Sequence, residues 1–291
     1  MQVQSSRNER VGLQSLALLL FGLVLAGCAP DLNPFVSRGA YADGIAAGWQ
    51  KLGFRTDRFD LAGYARIGNP ADPSLAVFIE GDGVSYITRT EISPDPTPEH
   101  PVALQMAVKH PASNVLYLAR PCQYTGGYKG RGCEPAYWTS ARFAPEAVGA
   151  MDMAINQFMA ARGLRSVILY GYSGGGTMAA LLAARRQDVA GFVTVAGVLD
   201  HRAWTSHFGD SPLRYSLNPA DSMAALRAIP QRHFVGQRDT IVPPTLTQAY
   251  ARRAGLNDGA VSVVPRADHT CCWADLWPDL ARQPLAVPPG S

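Results

Sequence analysis

The sequence predicts an α/β protein, a mostly parallel central sheet with helices on both faces. Three observations point there. Short apolar runs occur at 75–79, 114–119, 189–196 and 261–264, another begins at Val167, and 231–235 also reads as a strand. Unbroken runs of this kind mark strands buried on both faces. Between them, 102–109, 145–162, 177–186 and 244–254 read as helices. Strand and helix in alternation build a parallel sheet covered on both sides. The chain has 291 residues, 47% of them hydrophobic, which suits a single domain built on a long sheet.

The first segment reads as an address. Arg7 and Arg10 precede an apolar run at 11–26. That run is shorter than the ~20 residues that comfortably span a bilayer. It ends in Leu25-Ala26-Gly27-Cys28. A basic start, a short apolar core and small residues before a cleavage point describe an export signal over 1–27. Leu-Ala-Gly-Cys also resembles the lipobox of bacterial lipoproteins. The resemblance implies cleavage before Cys28 and lipidation of that cysteine. Residue 29 is Ala, not the Asp that holds enteric lipoproteins in the inner membrane. The expected location is therefore the outer membrane, facing the periplasm. The rival reading is a retained short anchor with Cys28 an ordinary thiol. Residues 28–40 then read as a tether, 41–283 as the domain, and the Pro-rich 284–291 as a disordered tail.

Along the domain, 49–54 reads as the close of a first helical segment. Residues 54–67 alternate apolar and polar around Gly63, as one or two antiparallel edge strands do. The run at 75–79 reads as a central strand and empties into Glu80-Gly81-Asp82-Gly83. Pro94, Pro96, Pro98 and Pro101 keep helix from forming before 101. The loop at 120–139 holds Tyr124, Tyr128, Tyr137 and Trp138, which either line an aromatic or acyl pocket or simply pack the loop. The helix at 145–162 is amphipathic, with Val148, Met151, Ile155, Phe158 and Met159 on one side. An insertion at 198–230 is long enough to be a cap or lid, or a plain surface excursion. Residues 276–282 close the fold.

Export sets the cysteine arithmetic. With Cys28 set aside, Cys122, Cys133, Cys271 and Cys272 remain. Four cysteines in an oxidising compartment suggest two disulfides. Cys122–Cys133 is the first choice. Cys271 and Cys272 either form a vicinal pair or each tie to the 122–133 loop. No metal site is expected: His269 with Cys271 and Cys272 lacks a C-x-x-C companion. The net charge is +3 with no basic block, which gives no support for nucleic-acid binding.

The chemistry gathers at Gly171-Tyr172-Ser173-Gly174-Gly175. A strand, a sharp turn carrying one serine and then a helix is the layout of a G-x-S-x-G nucleophile elbow. Gly171 and Gly175 remove Cβ atoms where strand and helix approach. A serine hydroxyl needs a base, and the base needs an orienting carboxylate. Among six histidines, His233 lies inside an apolar strand, while His100 and His110 lie near prolines and read as surface residues. His269 sits just beyond a strand end, and Asp239 follows the strand before it in Gly236-Gln237-Arg238-Asp239-Thr240-Ile241-Val242-Pro243. Asp200, with His201 and His207 near it, is the alternative acid.

On these motifs the sequence resembles the α/β-hydrolase fold superfamily over about 54–280. The G-x-S-x-G elbow and the G-x-x-D-x-x-V-P segment match that family's nucleophile and acid motifs. The resemblance implies Ser173 as nucleophile, His269 as general base and then acid, and Asp239 as its orienting partner. The oxyanion hole would be the backbone N–H of Gly174 and that of Asp82. The superfamily often has His-Gly where this chain has Glu80-Gly81-Asp82-Gly83, so the Asp82 carboxylate is expected to turn away from the oxyanion. The implied activity is cofactor-free hydrolysis of an ester through an acyl-enzyme, on a small-molecule or lipid-like acyl substrate. Three alternatives stay open: a serine peptidase, a perhydrolase on the same triad, and a non-catalytic binding lipoprotein.

Overall fold

The structure is a computed structural model that describes residues 34–288. The signal segment, Cys28 and the final three residues lie outside the described residues. Eight strands form one sheet: β1 (Gln50–Arg55), β2 (Asp60–Ile67), β3 (Ser74–Ile79), β4 (Asn114–Leu118), β5 (Ser166–Tyr172), β6 (Val189–Val195), β7 (Gln231–Gly236) and β8 (Val261–Val264). Their spatial order is β1-β2-β4-β3-β5-β6-β7-β8. The β1/β2 and β2/β4 pairs are antiparallel, and every pair from β4 to β8 is parallel.

The period of two along each strand divides the apolar residues between two cores. On β3, Leu75, Val77 and Ile79 face one core, while Ala76 and Phe78 face the other. The first core is closed by α3 (Pro145–Ala160) and α4 (Gly174–Arg185), with Met151, Ile155, Phe158, Met178 and Leu182 buried. The second is closed by α1 (Pro34–Ile45), α2 (Val102–Val108) and α8 (Trp273–Leu280). There Phe78 stacks on Tyr170 at 4.6 Å and meets Trp277 edge-on at 5.6 Å. Three further helices, α5 (His201–Phe208), α6 (Met223–Arg227) and α7 (Pro244–Ala254), lie between β6 and β8 in sequence. No helix among the described residues is long and apolar enough to cross a membrane.

Several expectations are corrected. Residues 50–55 form β1, not the close of a helix: Gln50 pairs with Ala65 and Arg55 with Asp60, so a mostly polar segment is fixed by its neighbour's register. Residues 34–40, read as tether, already belong to α1. That helix buries Ala42 and is pinned where Asp43 accepts a 2.6 Å hydrogen bond from the Tyr64 hydroxyl. The tail does not run free up to 288, because Ala286 forms a two-way bridge with Gln231. His110 is buried, not a surface residue. Its Nδ1 accepts the Trp277 indole N–H at 3.2 Å, and burial with the nearby charge of Arg66 lowers its pKa to about 4.

Candidate active site

β5 ends at Tyr172, and α4 starts at Gly174. Ser173 between them has φ 51° and ψ −121°, a left-side conformation that favours glycine. The surrounding glycines make that turn possible. A Cβ on Gly171 would lie 2.1 Å from the Gly175 carbonyl oxygen, and one on Gly175 would lie 2.2 Å from that of Ile79. The helix therefore begins three residues earlier than its Ala/Leu composition suggests, on Gly174-Gly175-Gly176.

His269 and Asp239 converge on this turn. His269 Nε2 is 3.0 Å from Ser173 Oγ, and His269 Nδ1 is 2.9 Å from Asp239 Oδ2. A carboxylate only accepts, so Nδ1 carries the proton and Nε2 presents its lone pair to the serine. Asp239 is buried, and its Oδ1 accepts the backbone N–H groups of Ile241 (2.8 Å) and Val242 (2.7 Å). The loop after β7 thus both aims the carboxylate and satisfies it. The carbonyl of His269 is held by two residues the sequence did not single out for this task. The Tyr172 hydroxyl donates to it at 3.0 Å and the Trp273 indole N–H at 2.9 Å.

Asp200 does not join this group. Its Oδ1 caps α5 by accepting the N–H groups of Arg202 and Ala203, and its Oδ2 pairs with Arg253 at 2.5 Å. Its valences are spent at a helix start, so the alternative acid is set aside. His201 is buried in that region, and His233 bonds Thr194 and Gln231 in the core.

The loop after β3 passes beside the serine: a Cβ on Gly81 would come 3.4 Å from Ser173 Cβ. The N–H of Gly174 lies at the first helical position, where no intrahelical partner exists. The Asp82 carboxylate stays close, since its Oδ1 would be 2.0 Å from a Cβ on Gly174. Its charge is met by Arg120 and Arg142, both ion-paired to it, and Arg120 Nη1 also lies against Gly174, 2.7 Å from where its Cβ would be. Burial works to raise the Asp82 pKa, but Arg142 and Arg120 outweigh it and hold the carboxyl below the usual value. Two guanidiniums thus meet this one carboxylate beside the first turn of α4. Neither arginine was singled out in the sequence. Only their place in the loops after β4 pointed to the strand-end face.

Glu80 lies behind this loop, fully buried. Its carboxylate accepts from Gly81 N–H at 2.9 Å and from the Tyr117 hydroxyl at 3.1 Å. Burial pushes its pKa up to about 7, against those hydrogen bonds. Gln123 ties the loops together: its amide donates to the Gly81 carbonyl at 2.8 Å and accepts from Arg120 N–H at 2.9 Å. The Cys122–Cys133 disulfide fixes that segment. Cys271 is bonded to Cys272, so the alternative pairing with the 122–133 loop is excluded.

Ser173 and His269 open on a cavity of about 1000 Å³. Phe143, Trp204, Leu213, Ile241 and Val242 are among its apolar lining residues. The aromatic residues of the 120–139 loop do not line it, although Thr139 does: Tyr137 packs edge-on against Phe59, and the Trp138 indole donates to the Ser93 carbonyl. The insertion at 198–230 forms one wall through Val198, Trp204, Thr205 and 210–213.

No family model and no curated protein matches the sequence. Solved structures do match. Est1E from Butyrivibrio proteoclasticus is 11% identical, with TM-score 0.56 over 80% of this chain and 96% of its own. A membrane phospholipase A, a bacterial virulence factor, is 16% identical, with TM-score 0.54 over 85% and 88%. An alpha-beta serine hydrolase homologue from Coxiella burnetii is 14% identical, with TM-score 0.51 over 80% and 93%. At these identities the likeness is one of fold.

Proposed function

We propose that this chain, whose fold is that of the α/β hydrolases, is a serine esterase anchored to the bacterial envelope through lipidated Cys28. The observation that carries the enzymatic reading is the unbroken relay from Ser173 Oγ through His269 to buried Asp239, opening on a cavity with an apolar wall. In this reading His269 Nε2 takes the Ser173 proton as Oγ attacks the ester carbonyl. The charge that develops on the carbonyl oxygen is met by the N–H groups of Gly174 and Asp82. His269 then gives the proton to the leaving alkoxide. Water, deprotonated by the same imidazole, releases the acid from Ser173. Asp239 holds the tautomer and stabilises the imidazolium.

The apolar cavity wall favours an acyl ester over a peptide bond. The lipobox-like Leu25-Ala26-Gly27-Cys28 supports the anchor, and Ala29 supports the outer membrane, facing the periplasm. A panel of p-nitrophenyl esters of increasing chain length tests the reaction. Turnover by the parent, lost in Ser173→Ala and in His269→Ala, is expected. Equal rates in parent and variants would refute it. Mass spectrometry of the N-terminal peptide tests the acyl group on Cys28.

A further inference from the structure

Large apolar side chains flank the cavity mouth from two separate segments. On one side Tyr86 lines the cavity, with exposed Ile87 and Ile92 beside it. Ile87 is 55% exposed. These residues sit on a small ordered hairpin: Tyr86 bridges Ile92, and Ile87 N–H donates to the Glu91 carbonyl at 2.8 Å. On the other side Trp204 and Ile241 line the cavity. The Trp204 indole donates to the Ile241 carbonyl at 2.7 Å, and its ring meets exposed Phe208 at 6.1 Å. Single exposed apolar residues need no explanation, but a rim of them around one opening does.

The chain enters the domain beside the same mouth. Arg38 in α1 donates to the Thr97 carbonyl at 3.1 Å and to the Glu99 carboxylate at 2.6 Å. Tyr41 meets His100 edge-on at 6.3 Å. Pro98, Glu99 and His100 line the cavity. From Cys28 to Pro34 is about six residues, a reach of at most about 20 Å. A domain of this length has a radius of gyration of roughly 18 Å, hence a diameter of about 46 Å. An anchor on so short a lead cannot hold the domain with its opposite face on the bilayer, because α1 would then start too far from the lipid.

We propose that the rim of the cavity docks on the lipid leaflet that holds the acyl chains of Cys28, and that the substrate is an acyl ester drawn from that leaflet. The proposal rests on the esterase and lipoprotein readings and adds the surface and the source of substrate to them. Ile87, Ile92 and Phe208 enter the acyl boundary, and Trp204 lies at the interface, where aromatic rings with a polar edge are favoured.

The test uses the full lipidated chain in vesicles of phosphatidylethanolamine with a minority of phosphatidylglycerol. Brominated acyl chains are expected to quench Trp204, read as the difference between parent and Trp204→Phe. This readout needs no turnover, so it is independent of the esterase reading. Beside it, Ile87→Glu and Phe208→Glu are expected to lower hydrolysis of a vesicle-embedded acyl ester at least about tenfold, by removing apolar burial. Hydrolysis of a soluble butyrate ester should stay within about twofold in the same variants. Absence of Trp204 quenching, or equal vesicle rates in parent and variants, would overturn the docking. Failure of the parent to hydrolyse the soluble ester would instead overturn the esterase reading, and unmodified Cys28 in the mass spectrum the anchor.

Discussion

Replacing Asp82 by Asn removes a carboxylate paired to two buried guanidiniums. The side chains of Arg120 and Arg142 are 4% and 9% exposed, and that of Asp82 is 25% exposed. Breaking a buried pair by removing one partner costs about 3–5 kcal/mol, because the remaining charge is left uncompensated. Here two like charges remain, which raises the cost, while the partial exposure of Asp82 lowers it, so about 3 kcal/mol is expected. Asp221→Asn is the control. It breaks the pair with Arg202, whose side chains are 62% and 53% exposed, and should cost no more than about 1 kcal/mol. Urea unfolding followed by tryptophan fluorescence, with disulfides intact, measures both. Adding Arg142→Met to Asp82→Asn should recover part of the loss by removing one stranded charge. The folded pKa of Asp82 lies below its unfolded value, so its contribution is present above the ordinary carboxylate pKa. It is lost as pH falls through the lower folded value. A loss of under about 1 kcal/mol in Asp82→Asn would refute the claim that this carboxylate neutralises buried charge.

Other substitutions separate the remaining roles. Asp239→Asn should lower kcat by about 10⁴ by admitting the wrong imidazole tautomer. Asp200→Ala should leave kcat within about twofold and cost about 1 kcal/mol at the α5 cap. Gly175→Ala should abolish the folded site, since its Cβ would lie 2.2 Å from the Ile79 carbonyl oxygen and 2.6 Å from that of Glu80. Circular dichroism and ester turnover together would show this. Glu80, with a folded pKa of about 7 against 4.5, keeps its proton in the folded state longer than in the unfolded one. Its linkage therefore lowers stability as pH rises from 4.5 to 7, by up to about 3 kcal/mol. Urea midpoints at pH 5 and 7.5 should converge in Glu80→Gln. Opening Cys122–Cys133 by Cys122→Ala with Cys133→Ala frees a loop spanning a separation of 11 residues, worth about 3 kcal/mol.

The central parallel strands β3, β4 and β5 were legible because each is a mostly apolar run buried in the sheet. β8 and α7 fall on the expected residues. β1 was not legible, since Gln50, Lys51 and Arg55 carry no apolar alternation and only pairing with β2 makes them a strand. Ser173, His269 and Asp239 could be named because each stands where a strand runs out, a position readable from sequence. Arg120 and Arg142 could not. Nothing in their spacing marks them, and their task appears only when two loops bring them to Asp82. His110 was misread for a related reason: the prolines nearby suggested surface, while Trp277, distant in sequence, covers it.

The most direct test of the central claim is labelling of the full chain with a serine-directed fluorophosphonate. The account predicts that the parent labels at Ser173, that Ser173→Ala does not, and that Asp239→Asn labels far more slowly. A folded parent that fails to label, or a Ser173→Ala variant that labels as the parent does, would contradict it.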